Sequence, residues 1–378
     1  MKNYFKNKEP KVDIYDKGII LPSKQVDNGP MWGLGGVCDC NNNFINDSLY
    51  DGGWATHGGY YQWEDEVYVD EDVIYIGVFF QHWGHFLIDL STRFWCINEI
   101  KSNNPNAKVA IVGDEFPSGN NLILFELLGI DEKHIIHIDK PTRFRRVYVP
   151  TQGFKSCEWY TDKHIEMFNL ITKNALNSNV DFSKVKDYKK VYFSRRSLPK
   201  AVSSEFGEEF FEKIFVDNGF VSVAPEKLSL EEQIYIWNNA DEIASINGTI
   251  PLNVVFSQNE NLKVIILNKT SIFHENPLIL LKMRNVKAEF IDIYKEPLKN
   301  YPKSLGEGPY FLGNPRDFIE YCKSNKMKCN YSFHNKLWLF KEKVKYYIAV
   351  SKIKEKVRGF LRKLIPDRLI SKIRGNKN

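Results

Sequence analysis

The sequence predicts an α/β protein with two units, and three observations lead to this fold class. Apolar runs typical of buried strands alternate with helical patterns over 73–150 and again over 189–295. Alternation of this kind is typical of parallel sheets covered by helices. The chain has 378 residues, 43% of them hydrophobic, which is enough apolar surface for two cores. We therefore expect two α/β domains joined near 150–188.

The first domain, placed at 1–155, is predicted to follow a β-α-β-α-β order. A helix is expected from about His85 to Ile100 and another around NNLILFELLGI. Residues 1–70 are rich in Gly, Asn and Trp and are expected to form loops with short strands. The predicted strands are VIYIGVFF (73–80), KVAIVGDE, IIHID and RRVYVP.

The second domain, placed at 156–300, is expected to begin with a helical segment from Tyr160 to Leu176. The strand KKVYFSRR follows, and further strand and helix patterns alternate after it without a break. Residues 301–335 carry turn chemistry and are expected to pack back on one of the two domains. The patterns after KKVYFSRR are EEFFEKIFVDNGF, VSVAP, SLEEQIYIWNNA, EIASI, KVIILNK, LILLKMR and AEFIDIY.

Composition narrows the class of protein. No stretch of about eighteen apolar residues occurs, and the polar start has no apolar signal core behind its lysines. We therefore expect a cytosolic protein. The six cysteines lack the spacing of a disulfide framework or a zinc site, so free thiols are expected.

Residues 336–378 form a basic tail with an amphipathic pattern. They contain fourteen Lys or Arg against three acidic residues, a balance of +11, while the rest of the chain sums to −6. Apolar residues recur at steps of three and four from Leu337 onward, with lysines between them. This pattern predicts either a solvated helix packed on the body or a helix on the anionic inner face of a membrane. The acidic body argues against nucleic acid as a partner.

Arg195 and Arg196 end the strand KKVYFSRR, where open α/β sheets bind their ligands. A guanidinium there can hold a phosphate through two parallel hydrogen bonds, or it can pair with a surface carboxylate. Neighbouring strand residues point to opposite faces, so both reach one phosphate only if the strand has already ended. We favour Arg195 for the ligand and keep carboxylate pairing open for Arg196.

His85 and Asp89 lie four residues apart on a predicted helix and therefore share one face. If that face lines a cleft, one of the two can act as a general base, while the alternative is a structural pair. His82, His85 and Asp89 also read as H-x-x-H-x-x-x-D, which would fit a metal-dependent hydrolase. Asp70-Glu71-Asp72 matches a metal-binding D-x-D, but no donor-binding α/β unit precedes it.

Two positions in the second domain have competing explanations. Glu232 follows Ser229 by three residues, which predicts a capping box, and the alternative is a contact to ribose hydroxyls. Glu231 is the other candidate for that ribose contact. Gly248 can bring backbone amides close to a nucleotide at a helix start, although Asn-Gly is also a common turn.

Two segments resemble glycosyltransferase family 61: HWGHFLIDLSTRFW at 82–95, and YFSRR through SLEEQIYIWNNADEIASINGTIPLNVVF at 192–256. The resemblance covers most of 75–295. It implies a GT-B-like architecture, with two Rossmann-like domains facing across a cleft and a nucleotide sugar bound mainly to the C-terminal one. It also implies an inverting transfer without a metal or a cofactor.

The resemblance also implies roles for individual residues. His85 and Asp89 would be catalytic, and Arg93 would lie on the acceptor side, where we also expect His82. The sequence departs from the family pattern at Asn247-Gly248-Thr249-Ile250, where the family has His-Gly-Ala-Gly, and at Thr92, where it usually has Pro. The residues expected to bind the donor are Arg195, Arg196, Glu231, Glu232, Asn247, Gly248, Thr249 and Asn253.

These observations predict an inverting glycosyltransferase that moves a sugar from a nucleotide-diphosphate donor, expected to be UDP-linked, to a hydroxyl of a glycan. The basic tail fits a lipid-linked acceptor of a bacterial surface polysaccharide such as capsule or O-antigen, at the inner face of the cell membrane. The alternatives are the metal-dependent hydrolase and a non-catalytic membrane scaffold with a degenerate transferase fold.

Overall fold

The computed structural model describes residues 3–202, 204–329 and 333–364. Within these ranges the chain forms a mixed α/β fold with a seven-stranded and a five-stranded sheet. The predicted α/β class and its parallel sheets are confirmed. The division into four segments proposed from the sequence stays a prediction, and the end of the basic tail, 365–378, lies outside the described residues.

The first sheet has the order β3-β2-β9-β6-β7-β8, and β1 also pairs with β9. Strands β6, β7, β8 and β9 run parallel, whereas the amino-terminal β1 and β2 pair with β9 in antiparallel fashion. Residues before 70 therefore complete this sheet. Its strands are β1 (Val12–Asp16), β2 (Ile19–Lys24), β3 (Leu34–Cys38), β6 (Val67–Val78), β7 (Lys108–Val112), β8 (Ile135–Ile138) and β9 (Thr142–Pro150).

The second sheet consists of five parallel strands in the order β14-β12-β15-β16-β17. In order of appearance this is 2-1-3-4-5, so the strand order reverses between β12 and β15, which is where sheets of this type bind ligands. The strands are β12 (Lys190–Phe193), β14 (Val221–Val223), β15 (Glu242–Ile246), β16 (Lys263–Asn268) and β17 (Lys287–Asp292).

The remaining pairs of strands are short, and helices connect the sheets. The two-residue strands pair as β4 (Tyr50–Asp51) with β5 (Thr56–His57), β10 (Phe154–Lys155) with β11 (Trp159–Tyr160), and β13 (Glu205–Phe206) with β18 (Tyr310–Phe311). The α-helices are α1 (Trp83–Ile88), α2 (Ile97–Asn103), α3 (Asn120–Leu127), α4 (Asp162–Leu176), α5 (Pro199–Val202), α6 (Glu208–Asp217), α7 (Leu230–Asn239), α8 (Glu275–Met283), α9 (Arg316–Ser324) and α10 (Phe333–Leu364).

The helix expected from His85 to Ile100 is interrupted. Helix α1 ends at Ile88, a 3-10 helix spans Leu90–Cys96, and α2 continues to Asn103. The hydroxyls of Ser91 and Thr92 donate to backbone carbonyls one turn earlier, at 3.0 and 3.2 Å. Such bonds compete with the regular helical ladder, which gives a local reason for the break.

Helix α4 occupies the stretch that the sequence assigned to a hinge. One buried face carries His164, Phe168 and Ile171. Thr172 Oγ1 donates to the carbonyl of Phe256 at 2.9 Å, and Asn174 Nδ2 donates to that of Leu127 at 2.7 Å. Because Leu127 belongs to α3 and Phe256 follows β15, α4 contacts both halves of the chain. One continuous apolar core, with Val73 and Val264 among its members, includes residues of both sheets.

Residues after 300 pack on the second sheet. Strand β18 pairs with β13, and a second apolar core contains Phe318 of α9 and Tyr346 of α10 beside residues of the sheet. No disulfide joins the cysteines, all six of which lie in the described part of the chain. Within the described ranges no helix is both long and apolar enough to cross a membrane.

Candidate active site

The site lies where the loop after β6 meets the turn after β15. An added Cβ at Gly84 of α1 would lie 3.0 Å from Thr249 Oγ1, so the backbone of Gly84 lies close to the Thr249 side chain. One residue away, Trp83 Nε1 donates to Asn253 Oδ1 at 2.9 Å. These contacts bring the candidates of the two halves, far apart in sequence, to one place.

Helix α1 positions His85 and Asp89. His82 begins the helix, and its ring Nδ1 accepts the backbone N–H of His85 at 3.3 Å. His85 Nδ1 lies 2.7 Å from Asp89 Oδ2, as the four-residue spacing predicts. The side chain of Asp89 is fully buried, whereas that of His85 is 30% exposed. The imidazole therefore is the member of the pair that a ligand can reach.

Two aromatic residues from the amino-terminal segment hold Asp89. Tyr50 donates its hydroxyl to Asp89 Oδ1 at 2.6 Å, and Trp54 donates its indole N–H to the same oxygen at 3.2 Å. Burial first, and the neighbouring Asp89 second, raise the pKa of Tyr50 far above its usual value. Tyr50 thus remains a donor, and Asp89 is an acceptor to three side chains once His85 Nδ1 carries its proton.

This geometry leaves Nε2 of His85 as the ring nitrogen that can accept a proton. The carboxylate at Nδ1 fixes the tautomer and stabilises the imidazolium that would form, as in other carboxylate–histidine pairs. Burial, and then the proximity of His85, lower the pKa of the neighbouring His82. The arrangement suits a general base on His85.

The metal-ligand patterns of the sequence do not assemble. Over the described ranges, no group of three or more His, Cys, Asp or Glu side chains is placed to hold a metal ion. In the H-x-x-H-x-x-x-D pattern, His82 caps the helix and Asp89 turns to Tyr50 and Trp54. In Asp70-Glu71-Asp72, Glu71 pairs with Lys108 at 2.7 Å and Asp72 with Arg145 at 2.8 Å.

Arg195 stands just past the end of β12 and belongs to a buried ionic cluster. Its Nε donates to Glu205 Oε2 at 2.8 Å, and Lys269 Nζ donates to Glu205 Oε1 at 2.5 Å. Burial alone would raise the pKa of Glu205, but Lys269 and Arg195 outweigh it and lower the pKa. Two cations thus face one ionised carboxylate, which leaves one positive charge uncompensated among the three.

Gly248 lies beside both cations. An added Cβ there would be 3.6 Å from Arg195 Nη1 and 3.9 Å from Lys269 Nζ, so both cations border the space over this residue. The neighbouring Asn247 is buried and its Nδ2 donates to Asn268 Oδ1 at 3.0 Å. An anion over Gly248 would meet two positive groups at the point where the strand order reverses.

Arg196 turns away from this cluster. Its guanidinium pairs with Glu212 at 3.1 Å and Glu209 at 3.3 Å, and 46% of its side chain is exposed. The carboxylate pairing kept open for this residue is therefore present. Although β12 has already ended at Phe193, the two arginines diverge, because each pairs with its own acidic partners on the segment 205–212.

Other predicted site residues are occupied by structural bonds. Glu232 and Ser229 form both halves of the capping box of α7. Arg93 is fully buried and donates to the backbone carbonyls of Pro150, Asp47 and Leu49, so its guanidinium does not reach an acceptor surface. Asn253 holds Trp83 and the carbonyls of Thr249 and Ile250. Glu231 lies partly exposed in the first turn of α7.

Four residues of the site were missed by sequence reasoning: Tyr50, Trp54, Glu205 and Lys269. The first two lie more than thirty residues before Asp89, in a segment without strong periodicity. Lys269 could have been found, since it directly follows the apolar strand KVIILN, where α/β sheets bind ligands. Glu205 has no comparable signal, because only the fold brings it to Arg195.

One comparison with known proteins agrees with the resemblance drawn from the motifs. The model of the family described as Glycosyltransferase 61 matches residues 83–265, from the start of α1 into β16. A comparison with curated proteins found no match. The matched range includes His85, Asp89, Arg195 and Gly248, and excludes Tyr50, Trp54 and Lys269.

Proposed function

From the premise that residues 83–265 belong to glycosyltransferase family 61, we propose that this protein transfers a sugar from a nucleotide-diphosphate donor to a glycan hydroxyl with inversion. In the proposed architecture the fold is GT-B-like: the two sheets face across a cleft, and the second sheet binds the donor. One observation supports this function above the others. The contact between Gly84 and Thr249 places the helix that carries His85 and Asp89 beside the turn at Gly248. Arg195 and Lys269 border that turn.

The donor diphosphate is assigned to the space over Gly248. Arg195 and Lys269 neutralise it there and stabilise the charge that builds on the leaving nucleotide, a role that metal ions fill in other transferases. Asn247 and Thr249 border the same space and complete the donor contacts. Because Glu232 caps α7, Glu231 is the better candidate for the ribose hydroxyls.

His85 is assigned the role of the base. Its Nε2 takes the proton from the acceptor hydroxyl while that oxygen attacks the anomeric carbon and the bond to the diphosphate breaks. Asp89 orients the imidazole and stabilises its charged form. Arg93 and Asn253 are positioning residues, since they hold the backbone that carries this face.

The acceptor is proposed to be lipid-linked, on the cytoplasmic face of a bacterial membrane during surface polysaccharide synthesis. Helix α10 supports this, because it has two apolar sides. Tyr346 and Leu339 are buried against the body, while a second stripe faces solvent among lysines. The stripe consists of Leu337, Phe340, Val344, Tyr347 and Ile348. Aromatic and aliphatic side chains flanked by lysines suit an anionic bilayer surface.

Nucleotide binding tests the donor site. Calorimetry without metal, using UDP, GDP, CMP and TDP, is expected to find one nucleotide that binds. Arg195→Ala should weaken its binding about tenfold or more, the effect of losing a charge-assisted hydrogen bond. Arg196→Ala is the matched control, and we expect a change within about twofold because Arg196 pairs with Glu209 and Glu212.

The same variants separate the proposal from its rivals. Absence of binding by every nucleotide would favour the non-catalytic scaffold, and binding only after metal is added would favour metal-dependent chemistry. His85→Ala should keep the nucleotide affinity and lose transfer, because the base contacts the acceptor and not the nucleotide. Thermal unfolding of each variant establishes that it is folded.

A further inference from the structure

Trp54 is an exposed aromatic residue beside the proposed base. Its surface is 46% exposed, which is high for a large apolar side chain at a site. The only polar atom of the indole is committed inward, to Asp89 Oδ1 at 3.2 Å. The ring also stacks on His85, with 5.0 Å between ring centroids and 25° between planes. The side chain therefore offers carbon surface next to the exposed imidazole.

The position of Trp54 is built into the fold. It stands in the turn between β4 and β5, where Gly52 N–H donates to the Ala55 carbonyl at 2.9 Å. Asp51 at the start of this turn pairs with Lys155 at 2.7 Å. Trp32 makes a T-shaped contact with Trp54, with 5.4 Å between ring centroids, and stacks on Tyr50 with 5.0 Å between centroids. An indole held from several sides is a rigid platform that does not have to be ordered by its ligand.

A ligand that fits this surface needs an apolar face and a hydroxyl at its edge. A pyranose ring has both: C–H groups on one face carry partial positive charge toward the negative π face of the indole, and hydroxyls surround the ring. We propose that Trp54 is the stacking platform of the acceptor subsite, and that the acceptor is a glycan whose terminal sugar ring lies on the indole with one hydroxyl at His85 Nε2. This inference rests on the proposed transfer reaction.

The platform lies outside the range matched by the family model. Trp32, Tyr50 and Trp54 all precede residue 83, whereas Arg195 and Gly248 lie within 83–265. The amino-terminal segment thus selects the acceptor, and the matched segment supplies the base and most donor contacts.

Fluorine NMR of protein labelled with 5-fluorotryptophan tests the platform directly. The chain has eight tryptophans, and the Trp54 resonance is the one absent from Trp54→Phe, or from Trp54→Tyr if the first variant does not fold. Titration with methyl β-D-glucopyranoside and methyl β-D-galactopyranoside should shift this resonance saturably with at least one of them. Glycerol at equal hydroxyl concentration is the control and should not shift it.

Three outcomes would overturn the inference: no shift with either glycoside, an equal shift with glycerol, or saturable shifts confined to other tryptophans. Nucleotide calorimetry on the same samples separates this inference from the proposed function. Nucleotide binding without a glycoside response would contradict the role of Trp54 and support the donor site. A glycoside response without nucleotide binding would support the role of Trp54 and contradict the donor site.

Discussion

At the scale of single residues, Glu208 lies in an environment that disfavours its charged form. It is buried, and its Oε1 accepts the backbone N–H of Arg195 at 3.0 Å and the Tyr192 hydroxyl at 3.1 Å. Burial first, and then the nearby Glu205 and Glu212, raise its pKa to about 7. The folded protein therefore holds a proton on Glu208 that the unfolded chain releases near its ordinary value of 4.5.

This proton predicts how stability changes with pH. Because the folded state binds more protons between about pH 4.5 and 7, the contribution of Glu208 favours folding at low pH and is lost as pH rises through the folded pKa. Glu208→Gln imitates the protonated form. We expect its free energy of unfolding, from urea titration, to match the wild type at pH 4 and to exceed it at pH 8 by on the order of 2 kcal/mol.

Glu209→Gln is the matched control for this prediction. Glu209 is the next residue of α6, its side chain is 52% exposed, and it pairs only at the surface with Arg196. Its replacement should change the free energy of unfolding by less than about 0.5 kcal/mol at both pH values. Equal pH profiles for the wild type and Glu208→Gln would contradict the assignment.

Local spacing determined which residues of the site could be predicted. The four-residue step from His85 to Asp89 and the three-residue step from Ser229 to Glu232 both gave the observed bonds, because helix geometry fixes these neighbours. The partner of Arg195, Glu205, and the other two partners of Asp89, Tyr50 and Trp54, could not be predicted in this way. They come from separate strands and turns, and only the packing of the whole chain brings them together.

At the scale of elements, the start of α7 shows how a cap can be mistaken for a ligand contact. Ser229→Ala and Glu232→Ala should each lower the free energy of unfolding by about 1 kcal/mol, because each removes one half of the capping box. Neither should change nucleotide affinity by more than about twofold.

Glu231→Ala is the comparison for these two variants, since Glu231 lies in the same turn outside the capping box. It should weaken nucleotide binding if Glu231 contacts the ribose, with little effect on stability. A loss of nucleotide affinity in Glu232→Ala without one in Ser229→Ala would contradict the assignment of Glu232 to the cap.

The solvent-facing apolar stripe of α10 predicts binding to anionic membranes. Phe340 and Ile348 lie on its solvent-facing stripe, 62% and 50% exposed, so replacing them with Gln leaves the buried side of the helix intact. Phe340→Gln/Ile348→Gln should lower cosedimentation with phosphatidylglycerol vesicles about tenfold or more, since each side chain contributes on the order of 2 kcal/mol when buried. Phosphatidylcholine vesicles should bind the wild type more weakly.

Deleting 336–378 would be a poorer test of membrane binding. Tyr346 is buried in the second core, where it packs against Phe206 and Phe311, so the deletion would also remove part of the fold. The sequence predicted the amphipathic pattern but not its division between body and solvent. Vesicle binding that is unchanged in the double variant would contradict the proposed membrane face.

At the scale of the whole molecule, the two halves meet at Gly84 and Thr249. A methyl group at Gly84 would lie 3.0 Å from Thr249 Oγ1 and 3.4 Å from Thr249 Cγ2, which is tighter than ordinary packing. Alanine otherwise favours a helix by about 1 kcal/mol over glycine. We therefore expect Gly84→Ala to stabilise the protein more when Thr249 is also replaced by Ala than when it is not.

A double-mutant cycle measures this coupling. Unfolding free energies of the wild type, Gly84→Ala, Thr249→Ala and the double variant should give an interaction energy of about 0.5–2 kcal/mol, in favour of the double variant. Gly119 and Gly129 are unsuitable as control sites for alanine, because their φ angles of +55° and +78° lie in the left-handed region. Additive effects would show that Gly84 and Thr249 do not press on each other.

The fold class and the alternation of strands and helices could be predicted because apolar periodicity is a local property of the chain. The placement of residues 1–70 could not, since β1 and β2 pair with β9, which lies more than a hundred residues later. The packing of 150–188 could not be predicted for the same reason. Its helical pattern was visible in the sequence, but its burial depends on residues from both halves of the chain.

The burial of α4 between the sheets has a consequence for how this protein could be recombined with others. An exchange of either half with that of another protein, cut within 150–188, would expose His164, Phe168 and Ile171 or bury them against a surface shaped for different side chains. A chimaera that combines the donor specificity of one protein with the acceptor specificity of another would therefore need to take α4 and the helical surfaces packed against it from the same parent.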